Sequence, residues 1–440
     1  MLLKFRAKNY KSFHDEFVFS MEKDPGKTGL DYSILKEKVG SKNVFGLSTS
    51  VVYGANAAGK SNVIGAIDTM KSIVLRGNIR DADNEKTSNP AAAWLSLIPT
   101  YRREPAPTEF GISFTQDGSR YEYWFSVDLG PFMAHRYARK ILSEGLLRNG
   151  KTVFERTGTT NLNVGFSAIK KTELNGETAT KPDTITDIAL HGLAEEELFL
   201  CNGFKTIISK KIAFDILNWF DSKLIVIFHA DNILTASKIE GGETDTVYIN
   251  QPLTEAAKIF GMTADALGYK PDANGIPKLC SILEDKNIAI KMSVFESFGT
   301  LRFVREFPLV LKALASGGAL IADEFDASIH PIALMNLITV FHNDELNLNH
   351  AQLIFNTHNP IFLDKKLFRR DEIKFVERDS ETNESKLYAL SDFKTADGTR
   401  KDSDFQARYL AGAYGAIRED IDFSGIIRAL VAAEEGVADE

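Results

Sequence analysis

The chain has 440 residues, a formal net charge of −8, 44% hydrophobic residues and two cysteines. No apolar run approaches the ~18 residues that span a bilayer, and the N-terminus lacks the extended apolar stretch of a secretory leader, so no membrane role and a cytoplasmic location are expected. Cys201 and Cys280 stand far apart without metal-ligand spacing, which excludes a cysteine metal centre and predicts reduced core thiols.

In chain order, the first element that carries chemistry is the apolar strand Ser50–Tyr53. It runs into Gly54-Ala55-Asn56-Ala57-Ala58-Gly59-Lys60-Ser61-Asn62, a full G-x-x-x-x-G-K-[ST] phosphate loop. Its glycines let backbone N–H groups converge on phosphate oxygens, and Lys60 reaches the β- and γ-phosphates. The Ser61 hydroxyl then ligates Mg²⁺ at the start of the next helix. The expected ligands are therefore ATP and Mg²⁺. A β-hairpin is predicted over 108–128, with the Asp117-Gly118 turn between alternating aromatic runs. Residues 158–190 are polar and predict a solvated loop or a weak extended segment. Residues 193–294 read as helices punctuated by loops, with the strand-like run Leu224–Phe228 among them.

A short buried strand, Gly318–Ala322, ends in Asp323-Glu324, the form of a Walker B element. Asp323 is expected to hold Mg²⁺ through water, and Glu324 to orient or deprotonate the attacking water. The loop 325–331 follows. Next comes a second apolar strand, Gln352–Phe355, ending at Asn356-Thr357-His358-Asn359-Pro360, which puts His358 at the position of a γ-phosphate sensor.

With these residues in this order, the chain resembles the ABC-type ATPase heads of the SMC, RecF and RecN clan. The resemblance rests on the opening Met1–Phe13 with its Asn9-Tyr10-Lys11-Ser12-Phe13 turn, on Asn56 and Asn62 in the phosphate loop, on Asp323–Pro331 and on Thr357-His358. It implies an α/β fold: a P-loop NTPase head of the ABC type with an antiparallel β subdomain and an inserted helical arm or lid. Residues 1–155 form the N-terminal part of the head, 156–294 the mostly helical insertion and 295–440 the C-terminal part. It also implies nucleotide contacts from Lys11, Ser12, Gly54, Asn56, Gly59, Lys60, Ser61 and Asn62, metal ligation by Ser61 and Asp323, and catalytic roles for Glu324, His358 and Lys60. The signature element of such heads corresponds to Glu296-Ser297-Phe298-Gly299-Thr300, in which Ser297 and Gly299 are offered to the nucleotide of the other subunit. A homodimer or higher even-numbered oligomer follows from that arrangement.

The interval between Lys60 and Glu296 has no sustained heptad pattern, which excludes a long coiled-coil arm. The stretches Phe368–Glu377, Ser385–Phe393 and Tyr409–Ile417 resemble the tail of compact ABC ATPases of the RloA type. Ala413 stands where that tail carries a basic residue, and Arg418 where it carries Pro. This resemblance implies the sensor ATPase of an anti-phage module, controlling an effector protein, a nuclease or toxin, from a neighbouring gene. The alternative is a DNA-binding ATPase of the SMC or RecF kind, acting in repair or chromosome maintenance. The net charge does not indicate a nucleic-acid partner. The short basic clusters, Arg102-Arg103, His135-Arg136 with Arg139-Lys140, Lys205 with Lys210-Lys211, and Arg369-Arg370, read as solvated faces. No second catalytic centre follows His358; Asp402 and Asp404 are scattered acids.

Overall fold

The computed structural model describes residues 1–80, 95–101, 103–132, 134, 137–176, 188–228, 248–259, 261–271, 276–286, 288–327, 329–394, 403–417, 424–425 and 428. A six-stranded sheet forms the centre, in the spatial order Leu224–Ile227, Ala319–Ala322, Gln352–Asn356, Thr49–Tyr53, Ile373–Arg378 and Ser385–Ala389. The first five strands run parallel, and the last closes the edge as an antiparallel hairpin. The three strands at its centre are buried at every position, the pattern of a sheet covered on both faces.

Alternation along these strands divides two cores. Val52, Ile321 and Ile354 face the core built on the helix Lys60–Arg76, whereas Val51, Tyr53, Leu320, Leu353 and Phe355 face the core closed by the helices Phe298–Ser316 and Pro331–His342. On the outer side of the helix Lys60–Arg76 lies a seven-stranded antiparallel sheet, ordered Asn161–Val164, Lys151–Thr157, Lys140–Arg148, Ser119–Asp128, Thr108–Gln116, Leu2–Lys8 and Phe17–Ser20. The strand Ser119–Asp128 alternates buried and half-buried positions without a break, as expected of a sheet with one face packed on a core. Its hairpin turns at Asp117 and Gly118 with φ of 47° and 68°, the paired left-handed residues of a type I′ turn.

A buried polar hub ties this sheet to the segment after it. Glu144 accepts hydrogen bonds from the Tyr123 hydroxyl, the Arg156 guanidinium and the backbone N–H groups of Phe199 and Leu200, and both ionic side chains are fully buried. The two N–H groups enter the π-helical segment Leu200–Ile208, so the carboxylate holds down its start.

The insertion over 156–294 follows the helical expectation over 200–223, in Leu200–Ile208, Lys210–Asn218 and Trp219–Lys223, and the strand-like expectation at Leu224–Ile227, but departs from the helical one over 248–291. Leu224–Ile227 belongs to the central parallel sheet, where it pairs with Ala319–Ala322. Residues 248–291 build a separate antiparallel sheet of Tyr248–Ile249, Ala266–Pro271, Pro277–Leu283 and Ile288–Lys291, with one helix, Gln251–Ile259. The physical reason is a small core in which Leu267 meets Leu253, Ala257, Leu301 and Val304. Tertiary burial of one strand face there overrides a weak local helical pattern. In the polar stretch 158–190, the described residues form the strand Asn161–Val164 and two single-turn 3₁₀ segments, Phe166–Ala168 and Lys171–Glu173; residues 177–187 lie outside the described set. Among the described residues no helix is long and apolar enough to cross a membrane.

Candidate nucleotide site

The strand Thr49–Tyr53 delivers the phosphate loop to the carboxyl edge of the central sheet, and the loop turns into the helix Lys60–Arg76. Two of its glycines are steric requirements. A Cβ on Gly54 would run into the carbonyl of Val376, and one on Gly59, whose φ is 112°, would lie 2.6 Å from Ser385 Oγ and 2.8 Å from Ser12 Oγ. No side chain caps the helix at Gly59, so its first amides are presented to an anion together with the positive end of the helix dipole.

Lys60 is only 5% exposed, and its ammonium donates to the carbonyls of Gly54 at 2.8 Å and Ala55 at 3.1 Å. Burial lowers its pKa to about 8, against the opposing pull of Asp323, Glu324 and Asp326. A cation held out of water at the mouth of a ring of amides is suited to a polyphosphate. The Ser61 hydroxyl donates to Asp323 Oδ1 at 3.0 Å, which brings the two expected metal ligands together. Asn62 donates to Ser12 Oγ at 2.7 Å, and the Ser385 hydroxyl donates to the Ala58 carbonyl while pairing with the Ser12 hydroxyl at 2.8 Å. Ser12 is thus a brace beneath the loop, joined to the far hairpin by the bond from Ser385 N to its carbonyl.

Lys11 stands apart from the phosphate loop. Its ammonium lies 5.3 Å from the Tyr10 ring centre and 5.7 Å from that of Phe228, with Asp68 as its charged neighbour, and among the described residues no hydrogen bond joins it to the phosphate loop. The turn Tyr10–Phe13 is closed by reciprocal backbone bonds, and Lys11 takes a φ of 50° within it. This directs the side chain along the helix Lys60–Arg76 while Ser12 meets the loop.

Across the sheet edge, Asp323 and Glu324 follow the strand Ala319–Ala322. Glu324 has a φ of 50°, a left-handed conformation that costs a non-glycine residue about 1 kcal/mol. Three contacts hold it there. Its N–H donates to Asn356 Oδ1, Asn356 Nδ2 donates to Asp323 Oδ1, and the Arg302 guanidinium donates to the Glu324 carbonyl at 2.8 Å and the Asp323 carbonyl at 3.3 Å. His358 is exposed just beyond the strand Gln352–Asn356. Partial desolvation, then the Lys60 cation, hold its pKa below the ordinary value, while the carboxylates of Glu324, Asp326 and Asp323 pull the other way. Thr357 donates to Asp326 at 2.6 Å and so fixes the loop that carries His358 against the one that carries Glu324. Ser328, in the expected loop 325–331, lies outside the described residues.

Ser297 caps the helix Phe298–Ser316, accepting the Thr300 N–H at 3.2 Å, with Gly299 in the first turn. Phe298 is 64% exposed beside it and Val294 76%. Among the described residues no hydrogen bond from Ser297 or Gly299 reaches the chain's own phosphate loop. One turn further on, Arg302 ties this helix to the acidic strand end at Asp323 and Glu324 and pairs with the buried Glu306 at 2.9 Å; burial raises the Glu306 pKa to about 7.

The structure therefore gathers Gly54, Gly59, Lys60, Ser61, Asn62 and Ser12 with Asp323, Glu324 and His358. Asn56 is exposed on the outer wall of the loop, and Lys11, Ser297 and Gly299 stand apart from it. Sequence reasoning missed Asn356, Arg302 and Ser385. Only Asn356 left a signal, as a polar residue ending an apolar strand one position before Thr357. Arg369 is a correction: it is not solvated but buried, paired with Asp371 at 2.9 Å and donating to the carbonyls of Lys27 and Gly29, because it anchors the 27–29 loop. Arg102, His135 and Arg136 lie outside the described residues.

A parallel sheet that carries a phosphate loop at its carboxyl edge, with an acidic strand end two strands away, defines a P-loop ATPase. The family described as "AAA domain, putative AbiEii toxin, Type IV TA system" matches residues 50–190 and 244–364, more than half of the chain, and the chain belongs to this family. No curated protein matches it.

Proposed function

We propose that the chain is a Mg²⁺-dependent ABC-type ATPase that works as a conformational switch in a two-fold dimer and controls a partner effector in an anti-phage defence module. The observation that carries the ATPase reading is the 3.0 Å bond between Ser61 and Asp323, with Glu324 held beside it by Asn356. A hydroxyl and a carboxylate in contact at the start of a helix fit a hard, oxygen-seeking cation that also binds phosphate. Bound Mg²⁺ supplies charge neutralisation for the phosphates. The chain's own groups do the rest. Lys60 and the loop amides hold the β- and γ-phosphates, Glu324 orients the attacking water and takes its proton, and His358 hydrogen-bonds the γ-phosphate end.

The dimer reading is supported by the signature element, which is capped by its own Ser297, flanked by exposed Phe298 and Val294, and unbonded to its own phosphate loop. Closure on ATP and opening after hydrolysis then make the output a change of shape. The defence reading is supported by the toxin–antitoxin description of the matched family and by the RloA-like tail, whose Tyr409 stacks on Phe375 of the central sheet at 5.7 Å and whose Tyr414 carbonyl accepts from the Tyr388 hydroxyl. A tail packed on the ATPase sheet can carry the nucleotide state to a partner.

The test mixes two inactive proteins. Ser297→Arg and Lys60→Ala subunits should each lack ATPase activity, while their heterodimer keeps one intact composite site and recovers part of it. Heterodimers that form without recovery count against the trans arrangement. Co-purification with the product of the adjacent gene, in amounts that change between ATP and ADP, tests the effector role.

A further inference from the structure

On the side of the phosphate loop away from Asp323 lies a cavity of about 690 Å³, within the ~300–1,000 Å³ of ordinary ligand sites. Its inner wall is the loop itself, Ala55–Ala58. Its outer wall is the hairpin that follows the fifth parallel strand, with Arg378, Ser380, Asn383 and Lys386, and the tail closes it at Ala416 and Ile417. We infer that this cavity holds the nucleoside end of the bound triphosphate, so that the hairpin and the tail, rather than the N-terminal turn, recognise base and ribose.

Strand order supplies the direction. The Walker B strand lies two places from the phosphate-loop strand on one side, and Ile373–Arg378 is its neighbour on the other. A triphosphate with its γ end turned to Ser61, Asp323 and Glu324 has its α end turned to that neighbour. The two walls are physically joined there: Arg378 donates to the Ala57 carbonyl at 3.2 Å and to the Asn383 carbonyl at 2.9 Å. The cavity thus begins where the phosphates end. Its wall chemistry is mixed, with Arg378 and Lys386 opposed by Glu377 and Asp379 and with Ser380 and Asn383 between, which suits hydroxyls and a base edge better than a further anion. Glu377 also receives the Ala416 N–H at 3.5 Å, so the tail is tied to the same wall.

The inference rests on the nucleotide reading above, and a ligand without a nucleoside separates the two. The full-length chain and its Ser380→Trp variant are titrated with MgATP and with magnesium tripolyphosphate. The indole fills the cavity from an exposed turn, so the Kd for ATP should rise at least about tenfold while that for tripolyphosphate stays unchanged. In the native chain, photolysis with 8-azido-ATP should place the adduct within residues 376–386 or 409–417, a result that does not depend on how the variant folds. A native protein that binds neither ligand removes the nucleotide reading and this inference together. Binding of both ligands with no selective loss in the variant, or an adduct confined to residues 9–14, removes the inference alone.

Discussion

The side-chain amide of Asn356 holds Glu324 by its backbone, accepting the Glu324 N–H on Oδ1 while Nδ2 donates to the neighbouring Asp323 carboxylate. One buried amide thereby sets both acids of the Walker B strand, which a carboxylate of the same shape cannot do because it has no donor. Asn356→Asp should lower kcat about 10²-fold while leaving the Kd for ATP within a few fold, the signature of misplaced rather than missing groups. Steady-state turnover alongside nucleotide titration decides it; a matched loss in both quantities would make Asn356 a folding residue only.

Lys60→Ala removes the buried cation of the loop and leaves the Gly54 and Ala55 carbonyls without their donor. ATP binding and turnover should both disappear. Parental turnover in the purified variant would contradict the phosphate-loop assignment.

Glu324→Gln keeps the volume and the left-handed backbone but removes the carboxylate. ATP should remain bound, turnover should fall about 10²–10⁴-fold, and the closed dimer should accumulate. Size-exclusion chromatography with and without ATP reads this directly: an unchanged elution volume together with parental turnover excludes Glu324 from the chemistry.

Away from the site, Glu144→Ala leaves Arg156 as an unpaired cation in a fully buried setting and frees the Tyr123 hydroxyl and two backbone amides. The expected cost is about 3–5 kcal/mol. Urea denaturation provides the measure, and a loss under about 1 kcal/mol would mean that the hub relaxes into solvent.

Glu372 is fully buried, takes the Thr49 hydroxyl on one oxygen and the Arg369 N–H on the other, and has Asp371 as a charged neighbour. Burial first, then Asp371, raises its pKa from 4.5 to about 8. Between those values the unfolded chain releases this proton while the folded chain keeps it, so stability falls as pH rises. His342, bonded to the same Thr49 at 2.8 Å, acts oppositely: burial lowers its pKa from 6.5 to about 4, and its contribution is lost as pH falls through that range. Above pH 6.5 only the Glu372 slope remains of the two. The melting temperature of Glu372→Gln should therefore change less between pH 6.5 and 8 than that of the parent. Parallel curves would show that the carboxyl is ionised in the folded chain.

The amino-acid order alone located the phosphate loop, the acidic strand end, the strand before His358 and the 108–128 hairpin. In each, the required backbone is local: a glycine where a Cβ has no room at Gly54 and Gly59, two left-handed residues at Asp117 and Gly118, a short apolar run that can only be buried. Tertiary structure decided the rest, because its causes are far apart in the chain. Leu224–Ile227 becomes a strand of the central sheet through Ala319–Ala322, and the antiparallel sheet of 248–291 forms because Leu267 finds Leu301 and Val304. Ser12 serves the loop through Ser385, while Lys11, one residue earlier, is turned away. In the sequence Arg302 looks like an ordinary surface-capable residue, and Asn356 only like a polar residue ending an apolar strand. Only the approach of one strand end and one helix to Asp323 and Glu324 gives their hydrogen bonds a target.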